Sequence, residues 1–123
     1  PPDYWDAVHE SMRAVVHSAR GTARKIGEDI RYQMASKTGT SQVIGIAQNA
    51  IYVEAEVAER HRNHGLFIAF APYESPTIAV AVIVENGGGA SAASPIARAV
   101  LDAWLVDEAA LDSEATAGAL ADG

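Results

Sequence analysis

The stretch Leu66-Phe67-Ile68-Ala69-Phe70-Ala71-Pro72-Tyr73-Glu74-Ser75-Pro76-Thr77-Ile78-Ala79-Val80-Ala81-Val82-Ile83-Val84 decides the fold. An apolar run from Leu66 stops at Pro72, a Pro-Tyr-Glu-Ser-Pro segment follows, and a second run opens at Thr77. Short runs rich in β-branched and aromatic residues, bounded by turn chemistry, read as strands. So short a link joins antiparallel neighbours, because parallel strands need a crossover of a dozen or more residues. The second run lacks polar alternation, the pattern of an interior strand covered on both faces. Asn86-Gly87-Gly88-Gly89 breaks it.

Working outward, Ile30 to Val43 reads as a third strand, with Tyr32 and Met34 alternating against Arg31, Gln33 and Ala35. Between it and the hairpin, residues 44 to 65 have no clean period and read as a loop or irregular crossing. Tyr4 to Arg20 carries Trp5, Val8, Met12, Val15, Val16 and Ala19 on one helical stripe, with Asp3 as N-cap and Gly21 as the C′ glycine. Thr22 to Asp29 is a polar connection. A second helix carries Ile96, Val100, Leu101, Trp104 and Leu105; it starts either at Ser94-Pro95 or one turn earlier at Ser91. Trp5 and Trp104 read as core anchors. The order helix, three strands, helix predicts an α+β fold of antiparallel strands flanked by helices. Two helices of this size give a doubly covered strand too little cover, so a surface is expected to stay open for more chain.

The chain has 123 residues, 49% hydrophobic and 20% charged, which fits one globular domain. It holds no apolar run of bilayer-spanning length and no visible signal peptide. It begins Pro1-Pro2-Asp3 without Met, so a processed product or excised piece is expected. The net charge of −7 is uneven. Residues 106–123 contain five acidic residues and no basic one, and read as an acidic, disordered tail; residues 1–105 are nearly neutral, with 11 acidic against 9 basic residues. No Lys/Arg stripe is present to neutralise a phosphate backbone, which argues against a nucleic-acid partner. The absence of Cys excludes disulfides, thiolate metal sites and cysteine nucleophiles.

Lys37-Thr38-Gly39-Thr40 is the most informative site candidate. An ammonium beside hydroxyls on a strand edge can receive a carboxylate through charge-assisted hydrogen bonds. Gly39 allows close approach to the backbone, and the N–H that follows can act as an oxyanion donor. Taken alone, such a string is more often a plain turn at a strand end. His9 with His17, and His61 with His64, lack a third metal ligand and read as surface or packing histidines. Glu54, Glu56 and Glu59 read as a charged face, and Asn86 to Gly89 as a turn, because no phosphate-binding Lys-Ser/Thr follows. No metal or cofactor is implied.

The surroundings of the string carry a resemblance. Arg20-Gly21-Thr22-Ala23, Ala35 to Val43, Asn63 to Pro72 and Ala79 to Gly88 together resemble the end of the transpeptidase domain of class B penicillin-binding proteins, most closely the elongation-specific ones. The likeness covers about residues 4 to 105. It implies a portion of the penicillin-binding/serine β-lactamase-like fold and a serine D,D-transpeptidase. Such an enzyme cross-links peptidoglycan stem peptides ending in D-Ala-D-Ala through an acyl-enzyme, and β-lactams acylate it. By that resemblance Lys37, Thr38, Gly39 and Thr40 bind the substrate or β-lactam carboxylate, and the Thr40 backbone N–H is an oxyanion donor. It further implies the periplasmic face of the bacterial inner membrane, with an elongation-complex glycosyltransferase and membrane scaffold proteins as partners.

One departure is large. Ser11, Ser18, Ser36, Ser41, Ser75, Ser91, Ser94 and Ser113 all fail both the S-x-x-K nucleophile motif and the S-x-[ND] motif. The nucleophile and its lysine are therefore expected in an upstream remainder of the same domain, and this chain alone is expected to be inactive. Two alternatives stay open: a serine β-lactamase or D,D-carboxypeptidase, told apart by an upstream deacylating carboxylate, and a non-enzymatic α+β interaction module, told apart by folding alone as a stable monomer.

Overall fold

The computed structural model describes residues 1–43 and 59–107. Helix α1 (Pro2–His17) leads through a short 3-10 turn (Arg24–Gly27) into strand β1 (Ala35–Ser41). Another 3-10 turn (Glu59–His61) precedes β2 (His64–Ala71), β3 (Ile78–Val84) and α2 (Ala90–Asp102), which ends in a π-helical turn (Ala103–Asp107). The strands form an antiparallel sheet in the order β1-β2-β3. The expected fold class and the 66–84 hairpin are borne out. Residues 44–58, with Glu54 and Glu56, lie outside the described residues, as does the predicted tail beyond Asp107.

Several boundaries move. α1 starts at Pro2 with Pro1 as its N-cap, not Asp3, and stops at His17. Its exit is fixed by close packing at Gly21, where a Cβ would fall 2.2 Å from the Val15 carbonyl oxygen. The predicted strand from Ile30 shortens to Ala35, because the 30–34 segment is held by other partners. The Met34 N–H donates to His17 Nε2 at 2.9 Å, and the Gln33 carbonyl accepts from the Tyr73 N–H at 2.8 Å. α2 starts at Ala90, earlier than either predicted start, and runs through Pro95.

Alternation and register give the sheet two different faces. Phe67, Ala69 and Ala71 of β2 point to one side, where they pack with Ala93, Ala97 and Leu101 of α2 and with half-buried Ile78, Val80, Val82 and Val84 of β3. The close approach of helix to sheet explains why α2 buries alanines while Ile96, Val100 and Trp104, predicted to face the core, are exposed. On the other side, α1 covers the Phe70 end, where His9 sits edge-on to Phe70 at 5.6 Å. Beyond it Ile68 is 49% exposed and Ile83 66% exposed. Trp5 is also 67% exposed, so neither tryptophan is a core anchor, and among the described residues β3 is covered on one face rather than two.

Candidate functional site: the outer edge of β1

β1 is an outer strand of the sheet, paired with β2 on one side only among the described residues. The pairing Lys37↔Ile68, Thr38↔Phe67, Gly39↔Leu66 and Thr40↔Gly65 fixes its side chains. Lys37 and Gly39 share the open face; Ser36, Thr38 and Thr40 share the face of α2. The structure thus brings all four predicted site residues onto one exposed strand end. Lys37 is exposed, forms no ion pair among the described residues, and donates from Nζ to the Thr38 carbonyl at 2.6 Å. A Cβ on Gly39 would come within 3.3 Å of Leu66 Cβ, so a larger residue would press on β2 beside the lysine.

Thr40 is set by the start of α2. Gly65, its β2 partner, lies so near the helix that a Cβ there would fall 2.1 Å from the Gly89 carbonyl oxygen. A Cβ on Gly89 would in turn lie 3.8 Å from Thr40 Oγ1. Asn86, at φ 54, fastens this corner: its N–H donates to His64 Nδ1 at 2.9 Å and its amide nitrogen to the carbonyls of Arg60 and Arg62. The Gly88 N–H donates to the Asn63 carbonyl at 2.9 Å. His64 is therefore a packing histidine, and Asn86 to Gly89 is a turn, as expected.

Thr22, which sequence reasoning left without a role, reaches the site: its Oγ1 lies 3.3 Å from Thr38 Oγ1. Its connection, Gly21 to Asp29, is tied to α2. Arg98 donates from Nη1 to the carbonyls of Ile26 and Glu28 and from Nε to Asp102 at 2.8 Å; Asp102 also accepts from the Tyr32 hydroxyl at 2.7 Å. Burial, with Asp102 as acceptor, pushes the Tyr32 phenol far above its ordinary value, so it stays a donor. Burial, then the charge of Arg13, lowers the His17 pKa and suits the ring to its role as acceptor for Met34. No group of three or more His, Cys, Asp or Glu capable of holding a metal occurs among the described residues.

An exposed ammonium beside hydroxyls at an open strand edge can bind a carboxylate and offer backbone N–H groups to a developing oxyanion. It cannot supply a nucleophile and a base. Comparison with known proteins agrees with that division. Residues 1–102 match the model of the penicillin binding protein transpeptidase domain. The chain is 43% identical over 102 residues to peptidoglycan D,D-transpeptidase MrdA of Haemophilus influenzae, covering 82% of this chain and 16% of that relative. It superposes on Pseudomonas aeruginosa PBP2, solved with WCK 5153, at a TM-score of 0.71 and 47% identity, covering 88% of this chain and 21% of that one. It superposes on Mycobacterium tuberculosis penicillin-binding protein A, solved as an imipenem acyl-enzyme, at 0.58 and 35% identity, covering 85% and 20%.

Proposed function

The chain belongs to the penicillin-binding protein transpeptidase family, and from that membership we propose that it forms one wall of a serine D,D-transpeptidase active site. The observation that carries this reading is the placement of Lys37, Thr38, Gly39 and Thr40 in succession along β1, whose outer edge is unpaired among the described residues. In the whole enzyme a serine outside this chain attacks the carbonyl of a D-Ala-D-Ala stem peptide, the terminal D-Ala leaves, and an amine from a neighbouring stem resolves the acyl-enzyme into a cross-link. β-Lactams enter by the same acylation. Lys37 meets the substrate carboxylate, the Thr38 and Thr40 hydroxyls hydrogen-bond it, and the Thr40 N–H stabilises the oxyanion. The chemistry needs no cofactor.

The open face of the sheet is where the remainder of the domain packs. Ile68, the strand partner of Lys37, is apolar and exposed, as are Ile83 of β3 and Trp5 of α1, and the chain spans about a sixth of its MrdA relative. On this reading the catalytic unit is residues 1–105 with the upstream part, at the periplasmic face of the inner membrane. It works beside the glycosyltransferase and scaffold proteins of the elongation complex, and residues 106–123 form an acidic tail.

The test is Lys37→Ala in the full-length transpeptidase, read by fluorescent-penicillin labelling. Acylation is expected to fall at least about a hundredfold, the scale of losing a charge-assisted contact made in the transition state. Labelling at the wild-type rate would remove Lys37 from the site.

A further inference from the structure

Beside the Thr22–Thr38 contact lies a cavity of about 390 Å³, bounded by Arg20 to Ile26 on one side and by Ser91, Ser94 and Pro95 of α2 on the other. Its charge is opposite to that of the chain. Arg20, Arg24 and Lys25 line it, no carboxylate does, and none of the three forms an ion pair among the described residues. The first turn of α2 adds to this field, because its N-cap is Gly89 and no side chain caps its N–H groups. Ser94 gives an independent sign. It is 6% exposed and lines the cavity, and its hydroxyl has no hydrogen-bond partner among the described residues. The rest of the residue is buried, while the hydroxyl is not among the side-chain atoms sealed from solvent without a partner, so it opens into the cationic cavity and can donate to an anion there. The Arg98–Asp102–Tyr32 network holds the two walls together, so the cavity exists before anything enters it.

We propose that this cavity is an anion subsite that takes a second carboxylate of the peptide substrate, continuing the Lys37–Thr40 edge past Thr38 and Thr22. The inference rests on the transpeptidase reading above and extends it. The carboxylate sits between the Arg24 and Lys25 cations and accepts from the Ser94 hydroxyl. No bond is made or broken there, so the subsite acts on the choice of substrate and not on the chemical step. Thr22 serves as a positioning residue, shared between the cavity and Thr38.

The test uses the full-length transpeptidase and two synthetic acyl donors ending in D-Ala-D-Ala, one with a free carboxylate upstream of that terminus and one with the group amidated. Acylation by benzylpenicillin, followed in parallel, reports separately on the transpeptidase reading. The wild type is expected to favour the carboxylate donor about fivefold in kcat/KM, the scale of a few solvent-facing charge-assisted contacts. Arg24→Ala with Lys25→Ala is expected to bring that ratio close to one. Should the double variant fail to fold, raising salt on the wild type decides, because exposed charges are screened and the preference must shrink. Equal rates for the two wild-type donors, or a preference that survives both the double variant and high salt, overturn the subsite. A wild type that benzylpenicillin does not acylate overturns the reading beneath it.

Discussion

The two faces of the sheet were built from the same strands and ended differently. On the α2 side, Phe67, Ala71, Ala97 and Leu101 have no exposed surface at all. On the Lys37 side, Ile68 of β2 is 49% and Ile83 of β3 66% exposed, and Met12 of α1 borders an open groove of about 330 Å³ with residues 68–70 and 79–81. Both faces are apolar, so hydrophobicity does not separate them. What separates them is cover supplied by this chain. The finished face supports the hairpin, and the unfinished one carries the lysine. On the transpeptidase reading, a site that takes its nucleophile from elsewhere needs an unfinished surface beside it, and an exposed apolar patch of this kind fits an interface.

The largest expected effect breaks the symmetry directly. In the 123-residue chain, Leu101→Ala should cost about 3 kcal/mol in urea unfolding, as for other fully buried leucines, whereas Ile83→Ala should cost less than about 0.5 kcal/mol. In full-length transpeptidase the Ile83 substitution should rise to the scale of a core change. An Ile83→Ala cost that stays small in the whole enzyme would mean that nothing covers this face, and the wall would need another neighbour.

That contrast also explains what the sequence made legible. The hairpin from Leu66 to Val84 was readable because run length, Pro72 and the Pro-Tyr-Glu-Ser-Pro link each constrain the same local geometry. The four residues of the edge were readable because the chemistry is carried by side-chain type and order. The helix stripes were only half readable. Periodicity finds an apolar stripe at Ile96, Val100, Leu101, Trp104 and Leu105, of which Leu101 is buried and Leu105 packs against the core, but the rest of the packing face is Ala93 and Ala97, since small residues let α2 lie close on β2. The uninterrupted run of β3 predicts two covered faces, yet its second face has no cover within the described residues. Thr22, Arg24, Lys25 and Ser94 were missed for a different reason. They are distant in sequence and meet only because Arg98 draws the 26–28 backbone onto α2.

A smaller effect probes the entry to β1. His17 accepts the Met34 N–H as a neutral ring, and burial with Arg13 holds its folded pKa below the ordinary 6.5. Glu74 acts in the opposite direction. A depressed folded pKa means that the unfolded chain binds the proton first. The contribution is present above about pH 6.5 and is lost as pH falls through the folded value. The urea midpoint should therefore drop between pH 7.5 and 5.5 in the wild-type chain, and His17→Gln should flatten that drop. An unchanged slope in the variant would place the pH dependence elsewhere.

The smallest effect tests whether the finished face is perfect, and two buried serines set the terms. Ser36 is fully buried beside Lys37 and borders the groove beneath α1, yet its Oγ is sealed from water and finds no partner among the described residues. A hydroxyl sealed away from water without a hydrogen bond costs free energy, and alanine fits the same space. Ser36→Ala should therefore raise the stability of the chain by up to about 1 kcal/mol in urea unfolding, with penicillin acylation of the full-length enzyme unchanged. Ser94→Ala should bring no such gain, because its hydroxyl opens onto the cavity between Thr22 and α2, where water or a ligand satisfies it. A loss of stability at Ser36 would show that its hydroxyl does have a partner, supplied by the chain that packs beside Lys37. The finished face would then depend on that chain as well.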